Sequence, residues 1–280
     1  MSIFAYRITV MKHVFYLSLA LLSLLLTQCT NSGRRPLSLD DTEVDLTDKK
    51  TLFFNGQIAY DSLIQHIDSS SKYTELYSLE YSDGLQNNRT ARGKFNGKKS
   101  IVKLELEETY VKGMQINTVY YFNGDFMFFA KQRIKDFNKK NKGFMEVFSY
   151  FGDKKKVIFS GSKMADSEEE LDLKNPVICR KTDFSAKEAL NIVNQRGPYA
   201  TRFQGGMETE SLKFIIVGTK GKTQSYQSAI AYNRDFPLAE MLVKNEKDNL
   251  NKLLRIDFTR VTEQNGFSYQ GLTGIKLINE

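Results

Sequence analysis

The chain has few of the residues from which zinc sites, disulfide frameworks and catalytic triads are built. It contains two cysteines, Cys29 and Cys179, and two histidines, His13 and His66. Only His66 and Cys179 lie beyond the N-terminal segment that ends at Cys29, and one histidine with one cysteine cannot form a zinc site of the usual composition. A Ser-His-Asp triad would have to use His66. We therefore expect no catalytic residue, no metal site and no bound cofactor, and interpret His66 as a solvent-facing helical residue.

Tryptophan is absent and proline is rare, which argues against Pro-rich linkers. Only four prolines occur, against 14 tyrosines and 20 phenylalanines, and aromatic residues favour strands. The 280 residues are 41% apolar and 26% charged, the ordinary composition of a globular protein. This length allows one large domain or two ordinary ones.

A strong excess of one charge is also missing. The net charge is +7, and residues 1–28 contribute +2 of it through Arg7 and Lys12, so the remainder carries +7 − 2 = +5. No concentrated basic stripe occurs, and we expect no nucleic-acid partner. The surplus lysine suits solubility and could hold the chain near anionic lipid headgroups.

The longest hydrophobic run lies near the N terminus, from Val14 to Leu26, directly after Lys12 and His13. It is shorter than the roughly 20 apolar residues that cross a bilayer as a helix. Its length and basic flank are typical of the hydrophobic region of a signal peptide. We therefore predict that residues 1–28 form a signal peptide.

The run ends in Leu26-Thr27-Gln28-Cys29, which resembles the lipobox of bacterial lipoproteins. Gln28 departs from that pattern, in which a small residue is usual. The resemblance implies cleavage before Cys29 and attachment of diacylglycerol to its thiol, since two or three acyl chains hold a protein at a membrane more firmly than one. It thus implies a lipid anchor at Cys29, the membrane as a partner, and a location in the bacterial cell envelope.

Two other fates of the N-terminal segment remain open. Thr30 and Ser32 could serve as the small residues of an ordinary cleavage site that releases a soluble protein. Alternatively, the hydrophobic run stays in place as an uncleaved anchor. All three fates export the rest of the chain.

The exported part divides by composition into four segments. Residues 29–50 are polar and predict a flexible tether. Residues 51–196 predict a helix and an antiparallel β-meander, residues 197–211 a linker, and residues 212–280 a small β-barrel-like domain with one helix. The expected fold class is α+β, mainly antiparallel β: a meander sheet with a few helices, followed by an OB- or SH3-like barrel. The strand-turn-strand texture resembles that of bacterial envelope lipoproteins.

Local signals place individual turns and helices. Asn123-Gly124 and Asn265-Gly266 each lie between strand-like runs and predict hairpins, because both residue types tolerate positive φ. The segment Asp61–Ile67 has helical apolar spacing, with Asp61 as its expected cap. Ser185 and Glu188 have the spacing of a capping box.

Three patterns resemble chemical motifs but lack the rest of them. Gly218–Thr223 ends like a phosphate loop, yet Ile216 holds the position of the required glycine. Ser160–Lys163 matches Ser-x-x-Lys without the further motifs of penicillin-binding enzymes. The acidic stretch Asp166–Asp172 lacks the central glycine of a calcium loop, and we interpret it as a solvated loop.

Cys179 is left alone if Cys29 carries a lipid. It lies in the segment Pro176–Arg180, next to Val177 and Ile178. Free cysteine is among the residues most often buried, and it behaves as a small hydrophobic side chain. We therefore interpret Cys179 as a buried packing residue and not as a nucleophile.

Three functions remain open. The first, which we favour, is a non-catalytic envelope lipoprotein that binds a protein or other ligand through its β surface. The second is a lipid carrier or sorting component with a curved sheet, favoured by an open apolar cavity lined by Phe-rich strands. The third is an envelope-polymer hydrolase that uses carboxylates such as Glu107, Glu108 or Asp125, favoured by a cleft with paired carboxylates.

Overall fold

The computed structural model describes residues 53–137, 143–152, 156–220 and 225–278. The predicted signal peptide, the tether and the lipid anchor at Cys29 lie outside these residues. Strands outnumber helices and pair antiparallel almost throughout, which confirms the mainly antiparallel α+β class.

The described strands form one 14-stranded sheet. Their order across it is β10-β11-β12-β2-β3-β4-β5-β6-β7-β8-β9, with β1 beside β3 and the hairpin β13–β14 attached to β12 through β14. The bounds in chain order are β1 (Thr74–Tyr77), β2 (Tyr81–Asp83), β3 (Asn88–Phe95), β4 (Ile101–Thr109), β5 (Met114–Asn123), β6 (Phe126–Asp136), β7 (Gly143–Phe151), β8 (Val157–Ala165), β9 (Val177–Ile178), β10 (Arg202–Glu208), β11 (Lys213–Lys220), β12 (Ser225–Tyr232), β13 (Leu254–Thr262) and β14 (Ser268–Leu277).

Short helices connect and cover this sheet. They are α1 (Gln57–Ser69), α2 (Glu168–Leu173), α3 (Lys187–Val193), a 3-10 turn (Gly197–Tyr199), α4 (Pro237–Lys244) and α5 (Glu246–Asn249). Among the helices of the described residues, none is long and apolar enough to cross a membrane.

The meander from β2 to β9 pairs each strand with the next strand along the chain. The predicted hairpin turn at Asn123-Gly124 is confirmed, because it joins β5 to β6 and Gly124 has φ of 63°. The turn at Asn265-Gly266 is confirmed in the same way between β13 and β14, with Gly266 at φ 84°. Only a residue that tolerates left-handed backbone fits these two glycine positions without strain.

Two hydrophobic cores lie on opposite faces of the meander. Neighbouring residues of β5 show the division, since Tyr120 belongs to the first core and Tyr121 to the second. This follows from the strand period of two, which directs successive side chains to opposite faces. The first core also contains Ile192 of α3, Ile230 of β12 and Ile256 of β13, so it draws on both halves of the chain.

The second core is an aromatic layer beneath α1. Its buried members include Phe128, Phe129 and Tyr150, and α1 contributes Ile67. The helix is longer than expected, and Asp61 lies inside it instead of capping it; Gly56 holds the N-cap position. The Asp61 carboxylate instead accepts a hydrogen bond of 2.6 Å from the Tyr150 hydroxyl on the sheet. A partner distant in sequence thus decides the role of Asp61.

Residues 197–211, predicted as a linker, are part of the sheet. They hold the 3-10 turn and β10, and Phe203 of β10 is fully buried. The two glycines that suggested a linker serve packing instead. Gly205 lies at a register shift of β10 with φ of 138°, and a Cβ on Gly206 would lie 2.6 Å from the Val243 side chain of α4.

The small barrel predicted for residues 212–280 is not confirmed. The sheet formed by the described strands is open, and β11 and β12 continue it instead of closing on β13 and β14. The single residue pair between β12 and β14, Ala231 with Gly271, is parallel. One reason is that β12 finds an antiparallel partner in β2, from the first half of the chain.

Candidate functional site

A cleft of about 1070 Å³ lies where the sheet divides between β1 and β13. The strand β3 pairs with β2 near its start and with β1 along the rest of its length. The strand β12 pairs with the other edge of β2 through only two residue pairs, at Tyr226 and Gln227. Beyond the end of β2, β3 continues beside β1 and β12 continues beside β14, so the sheet divides there. The outer edge of β1 faces β13 across open space.

The floor of the cleft is apolar and its rim is charged. Its buried apolar residues include Val193 at the end of α3, with Leu254 and Ile256 of β13. At the rim, Tyr77 of β1 is 56% exposed and Arg255 of β13 is also exposed. A ligand would thus meet hydrocarbon below and charged groups above.

The two walls of the cleft are strand edges with free main-chain groups. In an antiparallel pair, alternate residues direct their N–H and C=O groups toward and away from the partner strand. The N–H of Ser78 donates to Ala91 O on β3, so the main-chain groups of Glu75 and Tyr77 point outward into the cleft. Neither makes a main-chain hydrogen bond with another described residue.

The edge of β13 is partly covered by side chains and partly open. The N–H of Leu254 donates to Thr201 O at 3.0 Å, and Gln195 Nε2 donates to Ile256 O at 3.0 Å. The same alternation directs the main-chain groups of Phe258 outward, and within the described residues they have no hydrogen-bond partner. The middle of this edge is therefore available.

The inner end of the cleft is closed by polar side chains. The N–H of Glu80 donates to Gln270 Oε1 at 2.8 Å, and Gln270 Nε2 donates to Ser228 Oγ at 2.9 Å. Arg260 lies 3.7 Å from the Glu80 carboxylate. A smaller cavity of about 260 Å³ lies beyond these residues. The cleft is thus bounded at one end and open along its length.

An ion-pair network forms the wall on the β3 and β4 side. Glu105 accepts from Arg92 Nε at 3.0 Å and lies 2.7 Å from Lys103 Nζ, which also contacts Asp68 of α1 at 2.8 Å. Burial alone would raise the pKa of Glu105, but the hydrogen bonds from Lys103 and Arg92 outweigh it and hold this pKa below its ordinary value. Glu105 is therefore ionised and fully engaged at neutral pH.

Glu75 is held in the same charge state. The Tyr77 hydroxyl donates to it at 2.7 Å, and this hydrogen bond lowers the pKa of the Glu75 carboxyl. The guanidinium of Arg92 lies 5.9 Å from the centre of the Tyr77 ring, a cation–π distance. Tyr77 is thus positioned at the rim by two charged neighbours.

Charged groups of both signs lining the cleft have no ion-pair partner among the described residues. They are Arg196 after α3, Arg255 and Asp257 of β13, and Glu107 of β4. Arg255 and Asp257 are both exposed and lie on the same side of β13, two residues apart. These four groups are available to a ligand, whereas Glu105 is not.

A half-buried cluster around Arg89 lies at the point where the sheet divides. Arg89 of β3 lies 3.0 Å from Glu108 and 3.1 Å from Glu188, and it also donates to the hydroxyls of Tyr199 and Tyr226. These partners come from β4, α3, the 3-10 turn and β12, so one side chain joins four elements. Glu188 is thereby used at long range, and the predicted capping box with Ser185 does not form: the N-cap of α3 has no side-chain hydrogen bond.

The carboxylates proposed for a hydrolase are not brought together. Glu107 lines the cleft, Glu108 pairs with Arg89, and Asp125 is exposed in the turn between β5 and β6. The sequence did not indicate that Glu107 would share a cleft with Asp257, because 150 residues separate them. His66 is exposed on α1, as predicted.

The Ser-x-x-Lys match on β8 has no catalytic geometry. Ser160 and Lys163 are three residues apart on a strand, which places them on opposite faces. The Ser160 hydroxyl lies 2.7 Å from Ser149 Oγ and accepts from Thr182 N at 3.0 Å, whereas Lys163 lies 3.8 Å from Glu146. Ser160 therefore links β8 to Ser149 of β7 and to the segment at Thr182 through hydrogen bonds.

Two further sequence interpretations are corrected. The acidic stretch is a short helix, α2, because Ser167 caps it and its acidic first turn suits the positive end of a helix. Cys179 is only half-buried, and its neighbours Val177 and Ile178 are exposed, because β9 is a two-residue edge strand. Within the described part of the chain, no group of three or more His, Cys, Asp or Glu residues is placed to hold a metal ion.

Comparison with known proteins adds no relative. No protein-family model, no curated protein and no solved structure is significantly similar to this chain.

Proposed function

We propose that the chain is an exported, lipid-anchored binding protein of the bacterial cell envelope, without catalytic activity, and that the cleft between β1 and β13 holds its ligand. The observation that carries this proposal is the cleft itself, about 1070 Å³ with an apolar floor and, at its rim, charges that have no ion-pair partner in the described ranges. Ligand sites typically combine such an apolar surface with a few polar groups that orient the ligand. The lipobox-like residues before Cys29 support the anchor.

The charge states in the cleft favour binding over acid–base catalysis. A general acid at neutral pH needs a raised carboxyl pKa. The pKa values of Glu75 and Glu105 are both lowered, by hydrogen bonds from Tyr77 and, for Glu105, from Lys103 and Arg92 against the opposing effect of burial. Both carboxylates thus stay ionised at neutral pH, and neither is suited to act as a general acid there.

A hydrolase remains the second candidate because Glu107 and Asp257 line the cleft without ion-pair partners in the described part of the chain. Glu107→Gln and Asp257→Asn would each reduce turnover of a polysaccharide or peptidoglycan substrate by about a hundredfold or more if these groups were its acid and base. Equal and negligible turnover by the unmodified chain and both variants argues for binding alone. The lipid carrier is less favoured, since the Phe-rich strands are packed beneath α1 instead of lining an open cavity.

The anchor is tested by expressing the full chain and Cys29→Ser in a bacterium. We expect the unmodified chain in the membrane fraction, with an intact mass that begins at Cys29 and includes diacylglycerol. Cys29→Ser should lose both properties. An unmodified chain without acyl mass on Cys29 would remove the anchor from the proposal.

The binding site is tested by photo-crosslinking in living cells. A benzophenone side chain is placed at Tyr77 or Thr259, at the two walls of the cleft, and as a control at Ile58, which is 64% exposed on α1. We expect a discrete adduct from both cleft positions and none from Ile58. Adducts of equal yield at all three positions, or at none, would contradict a ligand site in the cleft.

A further inference from the structure

We propose that the ligand of the cleft is a polypeptide segment in extended conformation, which binds as an added strand between the outer edges of β1 and β13. The inference rests on the proposed function and names the ligand class of the same site. It starts from main-chain groups: Glu75 and Tyr77 on one wall, and Phe258 on the other, direct N–H and C=O groups into the cleft with no partner among the described residues. A peptide strand is the ligand that satisfies donors and acceptors on both walls.

The fold satisfies the neighbouring edge groups by other means, which makes these open positions informative. Gln195 Nε2 donates to Ile256 O, and Thr201 O accepts from the N–H of Leu254. On the other wall, Gln270 Oε1 accepts from the N–H of Glu80. Proteins usually protect exposed strand edges because such edges recruit other strands. Here the satisfied edge groups lie toward the ends of the cleft. The main-chain groups of Glu75, Tyr77 and Phe258, between those ends, have no partner among the described residues.

The floor and the rim specify alternate side chains of the added strand. Successive side chains of a strand point to opposite faces. One set would therefore meet the buried floor of Val193, Leu254 and Ile256, and the other would meet the charged rim. None of the four charged groups has an ion-pair partner in the part of the chain that the structure describes, so Arg196 and Arg255 can meet acidic side chains of the peptide, and Glu107 and Asp257 basic ones. The preferred segment thus alternates apolar with charged residues.

The length of the shorter wall bounds the length of the segment. The strand β1 has four residues, which at about 3.3 Å each span roughly 13 Å. A partner strand of about four to six residues covers this wall. Main-chain pairing supplies most of the affinity in such a complex, and the floor supplies its selectivity.

Proline substitution separates main-chain binding from side-chain binding. Glu75→Pro removes an outward N–H but no hydrogen bond between β1 and β3, and edge strands tolerate proline at such positions. Glu75→Ala, the matched control, removes the side chain and keeps the N–H. The probe is a set of decapeptides selected from a random displayed library on the full chain carrying Cys29→Ser. Affinity is measured by fluorescence anisotropy, and folding is checked by circular dichroism.

We expect the selected peptides to bind Glu75→Pro about tenfold more weakly, and Glu75→Ala within about threefold of the parent protein. Equal losses in both variants, or peptide affinity that is unaffected by proline, would overturn strand addition. Failure of the library to yield any peptide that binds the parent protein would also overturn it.

Amide hydrogen exchange on the unsubstituted chain gives a measurement that does not depend on a variant folding. Saturating peptide should slow exchange at Glu75, Tyr77 and Phe258, and leave Leu76, which already faces β3, unchanged. Protection confined to other strands would contradict the proposal. The two proposals fail separately: a glycan or lipid adduct at Tyr77 keeps the cleft as the site but removes the peptide, whereas no adduct at either wall removes both.

Discussion

The aromatic face under α1 and the cleft beside β1 use tyrosine and carboxylate pairs in different ways. Under α1, Tyr150 donates to Asp61 and Tyr121 donates to Asp68, so both hydroxyls meet the helix and both rings are buried. In the cleft, Tyr77 donates to Glu75 on its own strand, and its ring is 56% exposed. A covering helix therefore decides whether such a pair closes a core or borders an open site.

Removing a ring from the covered face should have the largest effect. Phe128→Ala deletes a side chain that is 1% exposed in the second core, and we expect the free energy of unfolding to fall by about 3–5 kcal/mol. Phe267→Ala, at an exposed position before β14, should change it by less than about 1 kcal/mol. Urea denaturation of both variants measures the difference, and similar losses would contradict a filled core under α1.

A substitution at Glu105 tests how the two regions are connected, because the ion pairs of Glu105 with Lys103, and of Lys103 with Asp68, join the cleft wall to α1. We expect Glu105→Gln to lower the free energy of unfolding by about 2 kcal/mol at pH 7, since charge-assisted hydrogen bonds from Lys103 and Arg92 are weakened.

The pH dependence of the same variant follows from the direction of its pKa shift. The pKa of Glu105 in the folded chain lies below the ordinary value of 4.5. Its contribution is therefore complete above about pH 4.5 and is lost as the pH falls through the lower folded value. The difference in the free energy of unfolding between the parent and Glu105→Gln should therefore narrow over that acidic range, as measured by urea denaturation at a series of pH values. A gap that stays constant down to pH 3 would show that ionised Glu105 contributes nothing.

Tyr150→Phe should have a smaller effect on the covered face. It removes the hydrogen bond to Asp61 without creating a cavity, and we expect a loss of about 1 kcal/mol. Asp61→Asn, which keeps an acceptor oxygen, should lose less. Thermal unfolding of the two variants compares them, and a larger loss for Asp61→Asn would mean that Asp61 acts through a different contact.

Arg255→Ala should have the smallest effect on stability. Arg255 is exposed at the rim and has no ion pair in the described ranges, so the free energy of unfolding should change by less than about 0.5 kcal/mol. Its role in the proposed site would then show only in binding. A loss of more than about 1 kcal/mol would indicate that Arg255 stabilises the fold and that the rim is less free than its contacts suggest.

Much of the local structure could be predicted from the sequence, and most of the candidate site could not. Asn123-Gly124 forms its hairpin because positive φ is a property of those residues and of no distant partner. The predicted capping roles of Asp61 and Glu188 were wrong because each side chain hydrogen-bonds to a residue on another element, Tyr150 and Arg89 respectively. Gly205 and Gly206 suggested a linker because composition does not distinguish a flexible glycine from one that admits a close neighbour.

The sequence by itself determined many of the strands, two of their hairpin turns, the mainly antiparallel class and the short list of chemical groups available. These follow from side-chain period and backbone preference over a few residues. Only the tertiary structure decided that β12 pairs with β2, that Arg89 joins four elements, and that β1 and β13 face each other across a cleft. Most of these contacts join residues about a hundred or more positions apart, for which local patterns carry no information.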